Sequence, residues 1–171
     1  MTAPVHVILV DENDEVVGEM EKIEAHRKGL LHRAISVFIF NKDQKLLLQR
    51  RSQSKFHSSG LWTNTCSGHP LPGETPLQAA ERRLLEEMGV ACKLEKRWEV
   101  RYELPVNNEL IENEYGHVYF GQSDALPAVN PDDADDYTYL SLNEVQQQVM
   151  DYPSKFTPWF KLLLPDVILH R

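Results

Sequence analysis

Residues 66–90 read CSGHPLPGETPLQAAERRLLEEMGV, with Gly68, Glu74, Arg82, Arg83, Glu86 and Glu87 at offsets that a helix turns into geometry. Arg83 and Glu87 fall one helical turn apart. At the edge where a helix meets a sheet, such a carboxylate can hold a hard cation while the guanidinium binds phosphate oxygens. Taken singly, Arg82 with Glu86 and Arg83 with Glu87 are ordinary i,i+4 ion pairs worth a few tenths of a kcal/mol. A second group is His26, His32, His69, Glu112 and Glu114, drawn from three separate parts of the chain. Alternation along a strand puts Glu112 and Glu114 on one face. Three imidazoles and two carboxylates suit zinc or a divalent transition ion with an octahedral preference. Lys22, Arg51 and Lys55 add scattered positive charge, which gains meaning beside Arg83 only if a polyanion such as a diphosphate bridges them to Mg2+. Tyr102, Glu114, Cys66 and Ser67 can serve as acids or bases. Trp62 and Trp159 can line an apolar pocket and stabilise positive charge through their ring faces, or simply pack in a core.

The elements that must position these residues are marked in the chain. Thr75 suits a helix N-cap, Pro76 the first helical position, and Gln78 completes a capping box. Gly89 suits the residue after the helix. On that helix Leu77, Ala80, Glu81, Leu84 and Met88 share a face with Leu85 beside them, and this face, Glu81 apart, is expected to pack on a sheet. Arg82 and Glu86 then lie on the far side. Residues 5–10 predict a strand and 15–22 its hairpin partner, followed by a short polar segment carrying His26 and His32. The run AISVFIF, residues 34–40, predicts a buried strand. Further strands are expected at 46–49, 93–104, 111–121 and 137–140, with a polar loop holding Lys55 and His57 and an acidic turn near 127–136. Ser141 caps an expected helix from 142 to about 152, and residues 156–164 predict a last helix. Strands on both sides of a central helix indicate an α/β sandwich on a mixed sheet, a single domain over residues 1–171.

Composition narrows the function classes. The 171 residues carry a net charge of -8 with no basic run, which argues against nucleic acid as a partner. No apolar stretch reaches membrane-span length, and no signal peptide is expected. Two cysteines, Cys66 and Cys92, make a disulfide framework improbable and a cytoplasmic location the default.

The 66–90 stretch resembles the Nudix box, G-x5-E-x7-R-E-U-x-E-E-x-G-U with U a bulky apolar residue, through Gly68, Glu74, Arg82, Leu84, Glu86, Glu87, Gly89 and Val90. It departs at Arg83, where the hydrolases of that superfamily carry a metal-binding Glu, so the resemblance implies a Nudix-type α/β/α sandwich without ordinary Nudix hydrolysis. The strings LWTNTCSGHP, AHRKGLLHRAISVFIF, ENEY and the late TPW resemble type 1 isopentenyl-diphosphate isomerases, from His6 to Trp159. That resemblance implies interconversion of isopentenyl and dimethylallyl diphosphate through a carbocation. It implies His26, His32, His69, Glu112 and Glu114 as ligands of a divalent metal (Mn2+, Zn2+ or Mg2+), and Glu87 as the ligand of a Mg2+ held with the substrate. It implies Lys22, Arg51, Lys55 and Arg83 as diphosphate ligands, Tyr102 and Glu114 as catalytic, and Trp159 facing the cation. The family's catalytic thiol stands where this chain has Ser67. A hydroxyl is far less acidic than a thiol, and Cys66 faces the other way in an extended segment, so the expectation is an impaired isomerase. A Nudix hydrolase of a diphosphate-linked substrate and a non-catalytic prenyl-diphosphate binder are the competing readings. A serine-nucleophile enzyme fits worse, since no G-x-S-x-G elbow is present.

Overall fold

Strand β3 (His32–Phe40) organises the molecule because both of its faces are buried. In the computed structural model, which describes residues 4–171, Ile35, Val37 and Ile39 pack in one core and Phe38 and Phe40 in another. Period-two alternation sends these sets to opposite faces, so one apolar run demands a cover on each side. Helix α2 (Pro76–Met88) covers the first face through Ala79, Ala80, Leu84 and Met88. Helices α3 (Leu142–Asp151) and α4 (Pro158–His170) cover the second through Val145, Phe160, Leu163, Leu164 and Val167.

The remaining strands are β1 (His6–Val10), β2 (Val16–Glu21), β4 (Leu46–Arg51), β5 (Trp62–Thr63), β6 (Cys66–Gly68), β7 (Leu94–Val106), β8 (Leu110–Gln122) and β9 (Ala134–Leu140). One edge of β3 pairs in parallel with β8 over His32–Phe40. The other edge is shared by β1 at Leu9, β6 at residues 66–68 and β4 at Leu46, all antiparallel. β7 extends the sheet beyond β8, and β9 pairs with β4. The result is the mixed-sheet α/β/α sandwich, with β3–β8 as its parallel pair.

Several boundaries differ from the sequence reading. The polar segment before β3 contains helix α1 (Lys22–Lys28), capped by the Glu21 carboxylate accepting from the Glu24 N–H at 2.7 Å. Glu is an uncommon N-cap, which is why no start signal stood out. β9 begins three residues early, inside the acidic stretch, and α4 runs six residues further, through Pro165. The buried stripe of α2 is also rotated. Leu77 and Leu85 are exposed, while Ala79 and Glu87 are buried. The cause is close contact with β6. Gly68 lies under the Arg83 stem, where a Cβ would come within 2.8 Å of Arg83 Cγ, and that approach turns the 83/87 edge inward. Capping follows expectation: Thr75 and Gln78 form the box, and Gly89 closes the helix at φ +66°.

Candidate active site

Sheet register builds the first half of the site. His32 on β3 pairs with Glu114 on β8, and Glu114 pairs with Tyr102 on β7, so three side chains form a row on the α4 face. Glu112, two residues back, joins the same face. Helix α1 delivers His26, and His69 follows directly after β6. The three rings come together with centroids 4.6, 5.1 and 5.4 Å apart. One ligand atom from each of His26, His32, His69, Glu112 and Glu114 lies within 4.8 Å of all the others.

The donor chemistry of this cluster fits a metal. His26 Nδ1 donates to the Lys22 carbonyl at 2.7 Å, and His32 Nδ1 donates to the Leu30 carbonyl at 2.8 Å. Each Nε2 is thereby left to offer a lone pair, as backbone-tied metal-binding imidazoles do. Yet these atoms stand 3.1 Å from Glu112 Oε1 and Glu114 Oε2, which are acceptors too. Such pairs repel unless a proton or a cation lies between them. His69 Nε2 approaches Glu114 Oε2 at 2.8 Å, and burial pushes its pKa down to about 4, so the ring is neutral at physiological pH. Burial acts the same way on His26, but Glu112 and Glu114 outweigh it and raise that pKa. Glu112 is also buried, and the hydrogen bonds it receives nonetheless hold it well below the ordinary carboxylate range. Tyr102 donates to Glu114 Oε1 at 2.5 Å, and burial and the neighbouring carboxylates push the phenol well up.

Positive charge forms the second half. Lys22, Arg51, Lys55 and Arg83 line the same cleft of about 380 Å3 as Ser67, His69, Glu112, Glu114 and Trp159. Burial and then the other three cations depress the Lys22 pKa, as expected of an ammonium held among like charges. Asp133 accepts from Lys55 at 2.6 Å and Arg83 at 3.0 Å, bracing both. Glu87 is buried; one oxygen lies 3.3 Å from Arg83, while Oε2 has no hydrogen-bond partner among the described residues. Burial raises its pKa. An orphaned, buried carboxylate oxygen beside several cationic side chains is a fitting cation ligand. The outer charges of the 66–90 stretch act differently. Glu74 pairs with Arg82 at 2.8 Å and accepts from the Leu71 N–H, and Arg82 reaches the His69 carbonyl, so the pair clamps the loop that carries His69.

Ser67 and Cys66 part company as extended backbone requires. Cys66 is fully buried under α2, its thiol pushed well up by burial and by Glu87. Ser67 faces the cleft, its hydroxyl 3.0 Å from the Asn64 amide nitrogen. Trp159 presents a ring face to Arg51 at 5.1 Å. Trp62, by contrast, borders the other core beside α4 and is not a lining residue of the cleft. Sequence reasoning gave no role to His57 or Asp133. Each stands in a run, HSSG or PDDADD, whose composition reads as solvated loop.

Comparison with known proteins follows this geometry. A family model described as NUDIX domain matches residues 30–160, so the sandwich and its loop–helix stretch define a NUDIX protein. A solved structure of DR0079 from Deinococcus radiodurans superposes with a TM-score of 0.76 at 25% identity, covering 92% of this chain and 96% of that one. A MutT protein from Methanosarcina mazei shares the fold at a TM-score of 0.67 and 19% identity, over 80% of this chain and 91% of that one. Among curated relatives, the isopentenyl-diphosphate Delta-isomerase of Pectobacterium atrosepticum is 56% identical over 91% of this chain and 87% of its own length. Isopentenyl-diphosphate Delta-isomerase 1 of Aromatoleum aromaticum is 47% identical over 96% and 93%. The chain belongs to the isopentenyl-diphosphate Delta-isomerase family of the NUDIX superfamily.

Proposed function

We propose that this cleft moves the double bond of isopentenyl diphosphate to give dimethylallyl diphosphate, and that Ser67 slows the reaction. The observation that carries the reading is the meeting of a histidine–carboxylate cluster and four cations in one cleft. Lys22, Arg51, Lys55 and Arg83 bind the diphosphate, and Glu87 holds a Mg2+ that shares its charge. His26, His32, His69, Glu112 and Glu114 hold a second divalent ion, Mn2+, Zn2+ or Mg2+, which supplies positive charge that fixes the two carboxylates.

The chemistry is redox-neutral. A proton adds to the terminal alkene carbon, a tertiary cation forms, and a proton leaves the neighbouring methylene on the other face. Two proton-handling groups on opposite sides of the substrate are therefore required. β6 and β8 flank opposite edges of β3, so Ser67 and the Glu114–Tyr102 pair reach the cleft from two sides. Trp159 turns a ring face toward the cation, as it does here toward Arg51. Arg83, standing where NUDIX hydrolases have a metal-binding Glu, disfavours hydrolysis. The whole chain acts as one catalytic domain, and two free cysteines suit a reducing cytoplasm.

Ser67 alone favours a second reading, a prenyl-diphosphate binder without turnover. Isomerisation of isopentenyl diphosphate by the chain and by Ser67→Cys separates the two. Restoring an acid of pKa about 8.5 is expected to raise kcat by at least about 100-fold with KM little changed. Equal rates would show that the thiol position is idle. Substrate binding with no turnover in either protein would leave the binder.

A further inference from the structure

Loop residue His57 touches three parts of the site at once. Its Nε2 lies 2.7 Å from Glu112 Oε1, the oxygen that also faces His26. Its ring stands perpendicular to Trp159 with centroids 5.6 Å apart. Its backbone carbonyl accepts from Arg51 at 3.1 Å. The side chain is 3% exposed, so it is no surface charge.

Unlike His26 and His32, whose Nδ1 atoms donate to the Lys22 and Leu30 carbonyls, His57 has no backbone carbonyl against Nδ1 among the described residues. That nitrogen meets the Ser58 hydroxyl at 3.0 Å. The Glu112 carboxylate only accepts, and the Ser58 hydroxyl can donate to Nδ1, so Nε2 carries the hydrogen and donates it to Glu112. Ser58 is itself held: its N–H donates to Asn107 Oδ1 at 2.6 Å, and its φ of +53° is a conformation serine rarely adopts without support. Asn108 donates to the Phe56 carbonyl at 3.0 Å from the same β7–β8 turn. A chain of hydrogen bonds thus runs from that turn through Ser58 and His57 to Glu112.

We infer that His57 is a positioning residue, outside the metal's own ligand set, that fixes the orientation of the Glu112 carboxylate and ties it to the wall formed by Trp159. The inference rests on reading the His/Glu cluster as a divalent-metal site. Outer-shell donors to a ligating group are worth about 10–100-fold in metal affinity. In His57→Ala, affinity for Mn2+ or Zn2+ is therefore expected to fall within that range. His57→Gln, whose amide N–H can take the place of Nε2–H, recovers most of it. Inorganic pyrophosphate binding stays within about twofold in both variants, because the contact to Arg51 is made by the backbone.

The measurement is titration of chelated full-length protein with each metal against a chelating dye, with thermal melts alongside. Wild-type affinity in His57→Ala, or equal losses in the Ala and Gln variants, would overturn the inference by leaving His57 a packing residue. Failure of the wild-type chain to bind either ion would overturn the metal reading and this inference together. If His57→Ala does not fold, Ser58→Gly removes the hydroxyl at a φ that glycine accepts. A severalfold loss of affinity there supports the hydrogen-bond chain, and an unchanged affinity refutes it.

Discussion

On one face of β8, Glu112 and Glu114 meet His26, His32 and His69; on the other, His117 meets Asp14 and Glu99. Both groups satisfy the same proximity, ligand atoms within 4.8 Å, and both depend on sheet register, since Glu99 pairs with His117 as Tyr102 does with Glu114. They differ in what surrounds them. In the first, His26 and His32 spend Nδ1 on backbone carbonyls and turn Nε2 inward. In the second, the two ring nitrogens of His117 face different carboxylates, Nε2 toward Asp14 at 2.9 Å and Nδ1 toward Glu99 at 3.3 Å. Cations already occupy those carboxylates: Arg33 bonds Asp14 at 2.8 Å and Lys96 bonds Glu99 at 3.0 Å. Closeness of histidine and acid does not make a metal site. Convergent lone pairs and unmet negative charge do.

The sharpest test is to remove one imidazole from each group. His32→Ala should lose more than about 100-fold in divalent-metal affinity and nearly all isomerase turnover. His117→Ala should retain the wild-type metal content after dialysis, measured by elemental analysis. Loss of metal in both variants would erase the distinction.

The next effect is a pH dependence, read on the metal-free protein. His69 has a folded pKa of about 4 against 6.5 when solvated. As pH falls through 6.5 the unfolded chain binds a proton that the fold refuses, so stability drops until about pH 4. At 1.36 kcal/mol per unit the loss is on the order of 3 kcal/mol. His26, with a raised pKa, contributes in the opposite sense: its stability is present below 6.5 and is lost as pH rises through its folded value. The readable quantity is therefore a difference. With chelator present, urea melts at pH 7 and 4.5 should show His69→Gln losing on the order of 3 kcal/mol less than wild type. Identical pH dependence would mean that the ring is solvated.

Much of this contrast could be read before the structure, and the unread part has a physical cause. Glu112 and Glu114 alternate on a strand, and Arg83 and Glu87 stand one turn apart on a helix whose ends Thr75 and Gly89 mark, so local periodicity carried them. Residue type grouped His26, His32 and His69 with those two carboxylates, and the resemblance implied that all five are ligands of one ion. His57 and Asp133 were invisible because their burial comes from contacts far along the chain, Asn107 against Ser58 and Arg83 against Asp133. The rotated stripe of α2 has the same origin: periodicity located the apolar residues, but only the Gly68–Arg83 approach decides which edge turns inward. Helix α1 escaped notice because its cap is a glutamate and its last turn, rich in positive charge, resembles a solvated loop.

The smallest effect probes the second group alone. Asp14 sits at φ +63° in the β1–β2 turn, a conformation that aspartate and asparagine tolerate better than most residues. Asp14→Asn therefore keeps the turn and removes only charge. It leaves Arg33, 13% exposed at the side chain, with a neutral partner, and takes one carboxylate from His117. Hydrogen bonds to charged groups contribute about 1.5–3 kcal/mol when buried, and this one is partly wet, so a loss of about 1 kcal/mol in urea unfolding is expected. Metal affinity and turnover should not change, because the network lies on the far face of β8 from Glu114. A change in either would mean that charge on one face of the strand is felt on the other, and the two groups would have to be treated as one coupled site.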